Sequence, residues 1–201
     1  MSECYSSNHE RSMNVNSSNN YQHPAGGIVA LLYSGNEGEV IISNVKVNDC
    51  KISTSGSAGA GVIGNIMTNQ NRCIENCEVI NNSIKCTGHS AGIVGVMPYS
   101  DNDNFVIRNC QAINNEIEST AEYTAGIIAT VNSAGILVDN CMVEGGKINS
   151  ISSYNGGYNV CTASGIANTY GYNNTEIRNC KVNNVEKIEG IGATGIGAVY
   201  K

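Results

Sequence analysis

The stretch SAGIVGVM, residues 90–97, is apolar on both of its alternating sides: Ala91, Ile93, Gly95 and Met97 on one, Gly92, Val94 and Val96 on the other. A strand with one wet face alternates apolar with polar, whereas a strand read this way is covered on both faces. The same pattern recurs as GGIVALL, AGVIGNI, AGIVGVM, AGIIATV, SGIANTY and TGIGAVY. In each, a glycine (Gly27, Gly61, Gly92, Gly126, Gly165, Gly195) follows a small residue and precedes Ile or Val.

A second pattern lies between these: IISNVKVNDCKI, CIENCEVINNSI, VIRNCQAINNEI, LVDNCMVEGGKI and EIRNCKVNNVEKI. Its fixed point is an asparagine, at Asn44, Asn76, Asn109, Asn140 and Asn179. The next position holds Val45, Cys77, Cys110, Cys141 and Cys180, at intervals of 32, 33, 31 and 39 residues. Each unit contains short strand-like runs and no helical apolar period. A unit so short cannot bury its own apolar side and must stack on its copies. The pattern therefore predicts an all-β parallel solenoid of about five to six coils over residues 25–201, with one repeat of 31–39 residues per coil. Residues 1–24 read as a polar arm or partial cap.

Stacking makes three further statements. The apolar residues flanking each asparagine, such as Ile107 and Cys110, are three apart, so the chain bends there. Asn is the non-glycine residue that best tolerates a left-handed backbone. The residues before the asparagines, Ser43, Glu75, Arg108, Asp139 and Arg178, stack as charges of alternating sign, and Lys46 meets Glu78 and Lys85 meets Glu118. Opposite charges across neighbouring strands are favourable. The cysteines form an inward ladder of small, soft groups. Free thiols fit this ladder better than bridges, although stacked neighbours lie within disulfide range.

Composition agrees with a thin core: 23 Gly, one Phe and no Trp in 201 residues. Charged residues are 14% of the chain and the formal net charge is −6, with no basic patch for nucleic acid. No apolar run is long enough to span a bilayer as a helix. The first twenty residues lack the apolar core of a signal peptide.

At this point the repeats AGGIVG, SAGIVGVM and NC.V.N..I resemble the GLUG-type repeats of bacterial and protist surface proteins, over about residues 25–201. The resemblance implies a β-solenoid within an exported, adhesin-like protein and no catalytic residues in the repeats themselves. It places the chain outside the cell or on its surface.

The two-sided strand implies an apolar stripe through Val29, Ile63, Val94 and Ile128. These are candidate interface residues if a second subunit or another chain covers the stripe; a kinked or wide coil that buries both rows is the other explanation. A stripe of this length left in water would be an unusually large exposed patch.

Catalytic chemistry is not legible. Asp101 and Asp103, in PYSDNDN, could hold a hard cation such as calcium, but one short acidic loop reads better as a solvated turn. His9, His23 and His89 are scattered, and the sequence assigns no catalytic residue, metal or cofactor. Tyr154, Tyr158, Tyr170 and Tyr172 lie among Ser, Gly and Asn in SISSYNGGYNV and NTYGYNN, a mixture suited to contact with a glycan or protein. The expected role is a structural or adhesive module that self-associates or binds a protein or glycan partner. The alternative is a polysaccharide-acting β-helix enzyme, a lyase or hydrolase, which would need clustered carboxylates.

Overall fold

The computed structural model of the chain describes residues 4–7, 10–13, 23–33, 39–67, 71–97, 104–120, 122–132, 136–151, 161–170 and 175–200. Its strands stack in parallel, coil upon coil, as the repeats predict. They form five sheets, one of five strands and four of six. We letter the sheets A to E in the order in which the chain first enters them. The coil from 72 to 97 visits them as Arg72–Glu75 (E), Glu78–Ile80 (A), Ser83–Cys86 (B), His89–Ala91 (C) and Val94–Met97 (D). Cys4–Ser7 and Glu10–Met13 pair in parallel with Val45–Asn48 and Lys51–Thr54, so the N-terminal segment contributes the first strands of sheets A and B.

The corners follow from backbone chemistry. Asn44, Asn76, Asn109, Asn140 and Asn179 all adopt positive φ, as does a second set at the A–B corner: Asp49, Asn81, Asn114 and Asn184, all nine between 49° and 56°. At Gly145 and Gly146 the same corner is made by glycines at φ 61° and 73°. Asn and Asp accept this left-handed geometry at low cost, and here the amides also bond along the stack. Asn140 Nδ2 donates to Asn109 Oδ1 (2.8 Å), and Asn109 Nδ2 to Asn76 Oδ1 (3.3 Å). A buried amide ladder lies inside the A–B corner. There the Cys50 N–H donates to Asn82 Oδ1 (2.8 Å) and the Asn82 N–H to Asn115 Oδ1 (2.9 Å).

Sheets E, A and B are the outer walls. Sheets C and D fold inward between B and E as a tongue. Three close approaches establish the order of layers. A Cβ on Gly59 of sheet C would lie 3.4 Å from the Cys86 Cβ of sheet B. One on Gly95 of sheet D would lie 3.1 Å from the Ala58 Cβ of sheet C. One on Gly197 of sheet D would lie 3.2 Å from Ile177 Cδ1 of sheet E. The tip of the tongue is the Gly-Ile corner, and it abuts sheet A: a Cβ on Gly126 would fall 2.4 Å from Val143 Cγ2.

This arrangement answers the two-sided pattern. Sheet C is sealed by B and D, and sheet D by C and E. The strands of sheet D carry core residues three apart, Ile63 and Ile66, Val94 and Met97, Ile128 and Val131, with Gly64, Gly95 or Ala129 among the intervening residues. The stripe expected at the surface is therefore not there. Ile63, Val94 and Ile128 are completely buried inside the chain's own layers, and Val29, on the first strand of the sheet, is half-buried against the same core. The physical reason is the tongue: the chain doubles back to cover the second row itself. The residues before these, Val62, Ile93, Ile127 and Ile166, are also fully buried at the tip.

Each fully buried Ile or Val contributes about 1.5–3 kcal/mol relative to exposure. The core is continuous from Ala25 to Ala167. In the last described coil the equivalent residues Ile177, Cys180, Val182 and Ile188 are only half-buried.

Candidate functional site

Tyr154, Tyr158 and Tyr172 lie outside the described residues, as do Asp101 and Asp103. Tyr170 is the last residue of the sheet D strand Ala167–Tyr170.

The stacked register instead builds a patterned surface on the outer face of sheet E. Its central column is Ile41, Cys73, Val106 and Leu137, one residue per rung. Ile41 is 55% exposed and the other three are half-buried. On one side runs the charge column. Glu75 pairs in register with Ser43 and Arg108, Arg108 with Asp139, and Asp139 with Arg178. Arg108 Nη2 lies 2.6 Å and its Nε 2.8 Å from Glu75 Oε2, and Arg178 Nη2 lies 3.0 Å from Asp139 Oδ2. The bond to Glu75 raises the Arg108 pKa, and the Arg178 guanidinium holds the Asp139 carboxyl below its ordinary value. On the other side Asn104 Nδ2 donates to Asn71 Oδ1 (3.4 Å). A groove of about 310 Å³ runs over these columns, with Glu39, Cys73, Glu75, Val106 and Arg108 in its walls. Burial and the nearby Glu75 raise the Cys73 pKa, so this thiol is not activated.

The other expected pairs also form. Lys46 Nζ lies 2.9 Å from Glu78 Oε2 on sheet A, and Lys85 Nζ 3.5 Å from Glu118 Oε2 on sheet B.

A second cluster escaped the reading by residue type. His89 and Tyr123 begin successive strands of sheet C and stack face to face, with ring centroids 5.5 Å apart and planes within 3°. His89 Nε2 lies 2.8 Å from Glu122 Oε2, and its Nδ1 shares a 2.7 Å hydrogen bond with Thr130 Oγ1 on sheet D. The bond from His89 lowers the Glu122 pKa. Glutamate, imidazole and hydroxyl are the parts of an acid–base relay. Here Thr130 is completely buried, so its hydroxyl cannot meet a substrate. The cluster pins the open end of the tongue. The signal was the repeat phase: His89 and Tyr123 occupy one position in HSAG and YTAG.

The thiols form the expected ladder. Cys77, Cys110 and Cys141 are buried and Cys180 is half-buried, and all four are free thiols. Each ladder Sγ points at carbonyls of the E–A corner, as Cys110 does at Arg108 O (3.3 Å). Hydrogen bonding to Cys141 and Cys77, together with burial, pushes the Cys110 thiol well up. Burial pushes the Cys86 thiol up to about 12. Among the described residues no group of His, Cys, Asp and Glu is arranged to hold a metal ion. No helix among them is long and apolar enough to cross a membrane.

No family model, curated protein or solved structure matches this chain.

Proposed function

We propose that the chain is a non-catalytic structural module of an extracellular or surface-exposed assembly, and that the outer face of sheet E is its contact surface. One observation carries this reading: on that wall the apolar side chains of Ile41, Cys73, Val106 and Leu137 line up rung over rung beside an ordered charge column. Apolar groups rimmed by polar ones mark interaction surfaces. The resemblance of the repeats to GLUG-type surface proteins supports the same role, with adhesion as its biological form.

The experiment is a double substitution on the outward column, Val106→Asp with Leu137→Asp. Both side chains are on the solvent side, so the β-sheet signal in circular dichroism is retained. Binding to immobilised copies of the chain and to a panel of glycans and proteins falls. A folded variant that binds as the wild type does would overturn the reading.

One feature favours a second reading, a polysaccharide-acting enzyme. Glu39, Glu75 and Arg108 line the same groove, and a lyase acting on uronates needs a base beside a cation that neutralises the substrate carboxylate. That reading predicts an unsaturated product from a polyuronate, lost in Glu75→Gln; a flat absorbance trace with wild-type protein rejects it.

A further inference from the structure

We propose that the outer face of sheet E pairs with the same face of a second copy of this chain. The copies are related by a two-fold axis parallel to the strands that passes between the Cys73 and Val106 rungs. The proposal rests on the reading of sheet E as a contact surface and names its partner.

The argument is one of symmetry. A two-fold axis lying in the face and parallel to the strands reverses the order of the rungs and leaves each column facing itself. The apolar column then meets the apolar column. The charge column Glu75, Arg108, Asp139, Arg178 meets its own reversal. Because the signs alternate from Glu75 to Arg178, an axis between two rungs makes facing charges opposite in sign (between the Cys73 and Val106 rungs the facing charges are Glu75 and Arg108, with Asp139 over Ser43), and an axis through a rung sets like charges face to face. Like charges in that position are unfavourable and select against those registers. An axis along the solenoid would instead set the charges over the Asn71–Asn104 column, with no ionic partner.

Among the between-rung positions, the apolar column decides. An axis between Val106 and Leu137 puts Cys73 opposite Glu176, which continues that column. An axis between Cys73 and Val106 puts Ile41 opposite Leu137, Cys73 opposite Val106, Asn71 opposite Asn104 and Glu75 opposite Arg108. That register alone covers all four apolar residues. The Glu75–Arg108 bridge within each copy persists, and the two bridges close into a ring of four charges across the axis. The face is small: five strands at about 4.8 Å spacing and four residues at about 3.3 Å give roughly 24 by 13 Å. Standard interfaces use about 800 Å² per partner, so this pair dissociates on dilution.

Cysteine trapping tests the register. In a Cys73→Ser background, Ile41→Cys and Leu137→Cys are introduced singly and together, and the folded proteins are treated with a short bis-maleimide, because facing sheets lie about 10 Å apart and outside disulfide range. Within one copy these positions are three rungs apart, about 14 Å, beyond the reach of that linker. The double variant is expected to give at least tenfold more cross-linked dimer on non-reducing gels than either single variant, and Arg108→Glu added to it removes the dimer. No dimer from a folded double variant, or equal dimer from a single one, overturns the pairing. If in addition Val106→Asp with Leu137→Asp abolishes binding to another partner, the contact surface stands and only the second copy is rejected. If both experiments are flat, both readings fall.

Discussion

The tip of the tongue is where this fold has least room, and Gly126→Ala measures it. A Cβ at position 126 would lie 2.2 Å from the carbonyl oxygen of Gly165 in the next coil and 2.4 Å from Val143 Cγ2. The carbonyl cannot move aside by a rotamer change, so the two coils must separate locally by roughly 1 Å to restore ordinary contact. That separation strains three hydrogen bonds: Gly126 N–H to Gly165 O (3.1 Å), Ile127 N–H to Ile166 O (3.1 Å) and Ile128 N–H to Ile166 O (3.0 Å). At about 0.5–1.5 kcal/mol each, their loss costs about 2–4 kcal/mol. Overpacking against Val143 adds about 1–3 kcal/mol. The expected destabilisation is thus about 3–7 kcal/mol. Gly195→Ala, at the equivalent position in the last coil, is the control, because nothing lies within 4 Å of its Cβ. Its effect is expected to be neutral or a gain of about 0.4–1 kcal/mol through the unfolded chain. In urea, with a slope of about 2 kcal/mol per molar, Gly126→Ala shifts the midpoint down by about 1.5–3.5 M and Gly195→Ala leaves it in place. Val143→Ala combined with Gly126→Ala recovers the overpacking part and not the hydrogen-bond part. Equal midpoints for Gly126→Ala and Gly195→Ala would refute the placement of the tongue against sheet A.

Four further outcomes follow from the same geometry. Val94→Asp and Ile128→Asp each bury an unpaired carboxylate and abolish the folded state, seen as loss of the β-sheet signal; a soluble folded variant would return these residues to the surface. Asn109→Ala keeps the Cβ at φ 55° but removes the polar side chain that tolerates this geometry and bonds along the stack, and costs about 1–2 kcal/mol in urea melts, whereas Asn109→Gly costs less because loss of the amide ladder is offset by removal of the Cβ. The Glu122 pKa is lowered on folding, so its contribution to stability is present above the unfolded value near ~4.3 and is lost as pH falls through the folded one. Wild type therefore loses stability more steeply below pH ~4 than Glu122→Gln, and parallel profiles would dismiss the His89 contact. With a thiol reagent and peptide mapping, Cys73 and Cys180 label in the native protein while Cys77, Cys86, Cys110 and Cys141 wait for denaturant; rapid native labelling of Cys110 would contradict the buried ladder.

The ladder was readable in the sequence because stacking repeats a chemical requirement at one column. Asn at Asn76, Asn109 and Asn140, the alternating signs of Glu75, Arg108 and Asp139, and the thiols beside them each demand the same register, and the structure obeys it. The cross-section was not readable in the same way. A column says which residues stack, not how the coil folds between columns. Val94 and Ile128 read as one face of a strand, and no local feature says that the preceding strand turns back to cover it. The sign was present in a weaker form: Gly59, Ala60, Ser90 and Ala91 are too small to be a wall facing either water or a wide lumen. The second left-handed corner, at Asp49, Asn81, Asn114 and Asn184, was hidden because glycines replace it at Gly145 and Gly146. The column of sheet E was also visible, since Ile41, Cys73, Val106 and Leu137 precede inward residues that are themselves apolar, but two adjacent apolar residues do not reveal which one faces out.

The tongue also explains why, among the described residues, the walls offer the surface on which side chains can vary. A solenoid with an open lumen fills it with large side chains, and this chain has one Phe and no Trp. It fills the lumen with two additional layers of backbone, and their closest approaches are made at small residues such as Ala58, Gly59 and Gly95. Polar members of these layers are satisfied across the gap, as when Ser90 Oγ donates to Glu118 O (2.6 Å) or Asn168 Nδ2 to Thr124 O and Ala129 O (2.9 Å each). Such an interior has no room for a ligand and little tolerance for substitution. The outward columns of sheets A, B and E carry no such constraint, because rung spacing is fixed by the backbone whatever the side chain. Variation is therefore free there, and a chemically ordered column is information rather than packing. On sheet E that order is apolar beside alternating charge, and a pattern that complements its own reversal favours its own kind over a partner of uniform charge.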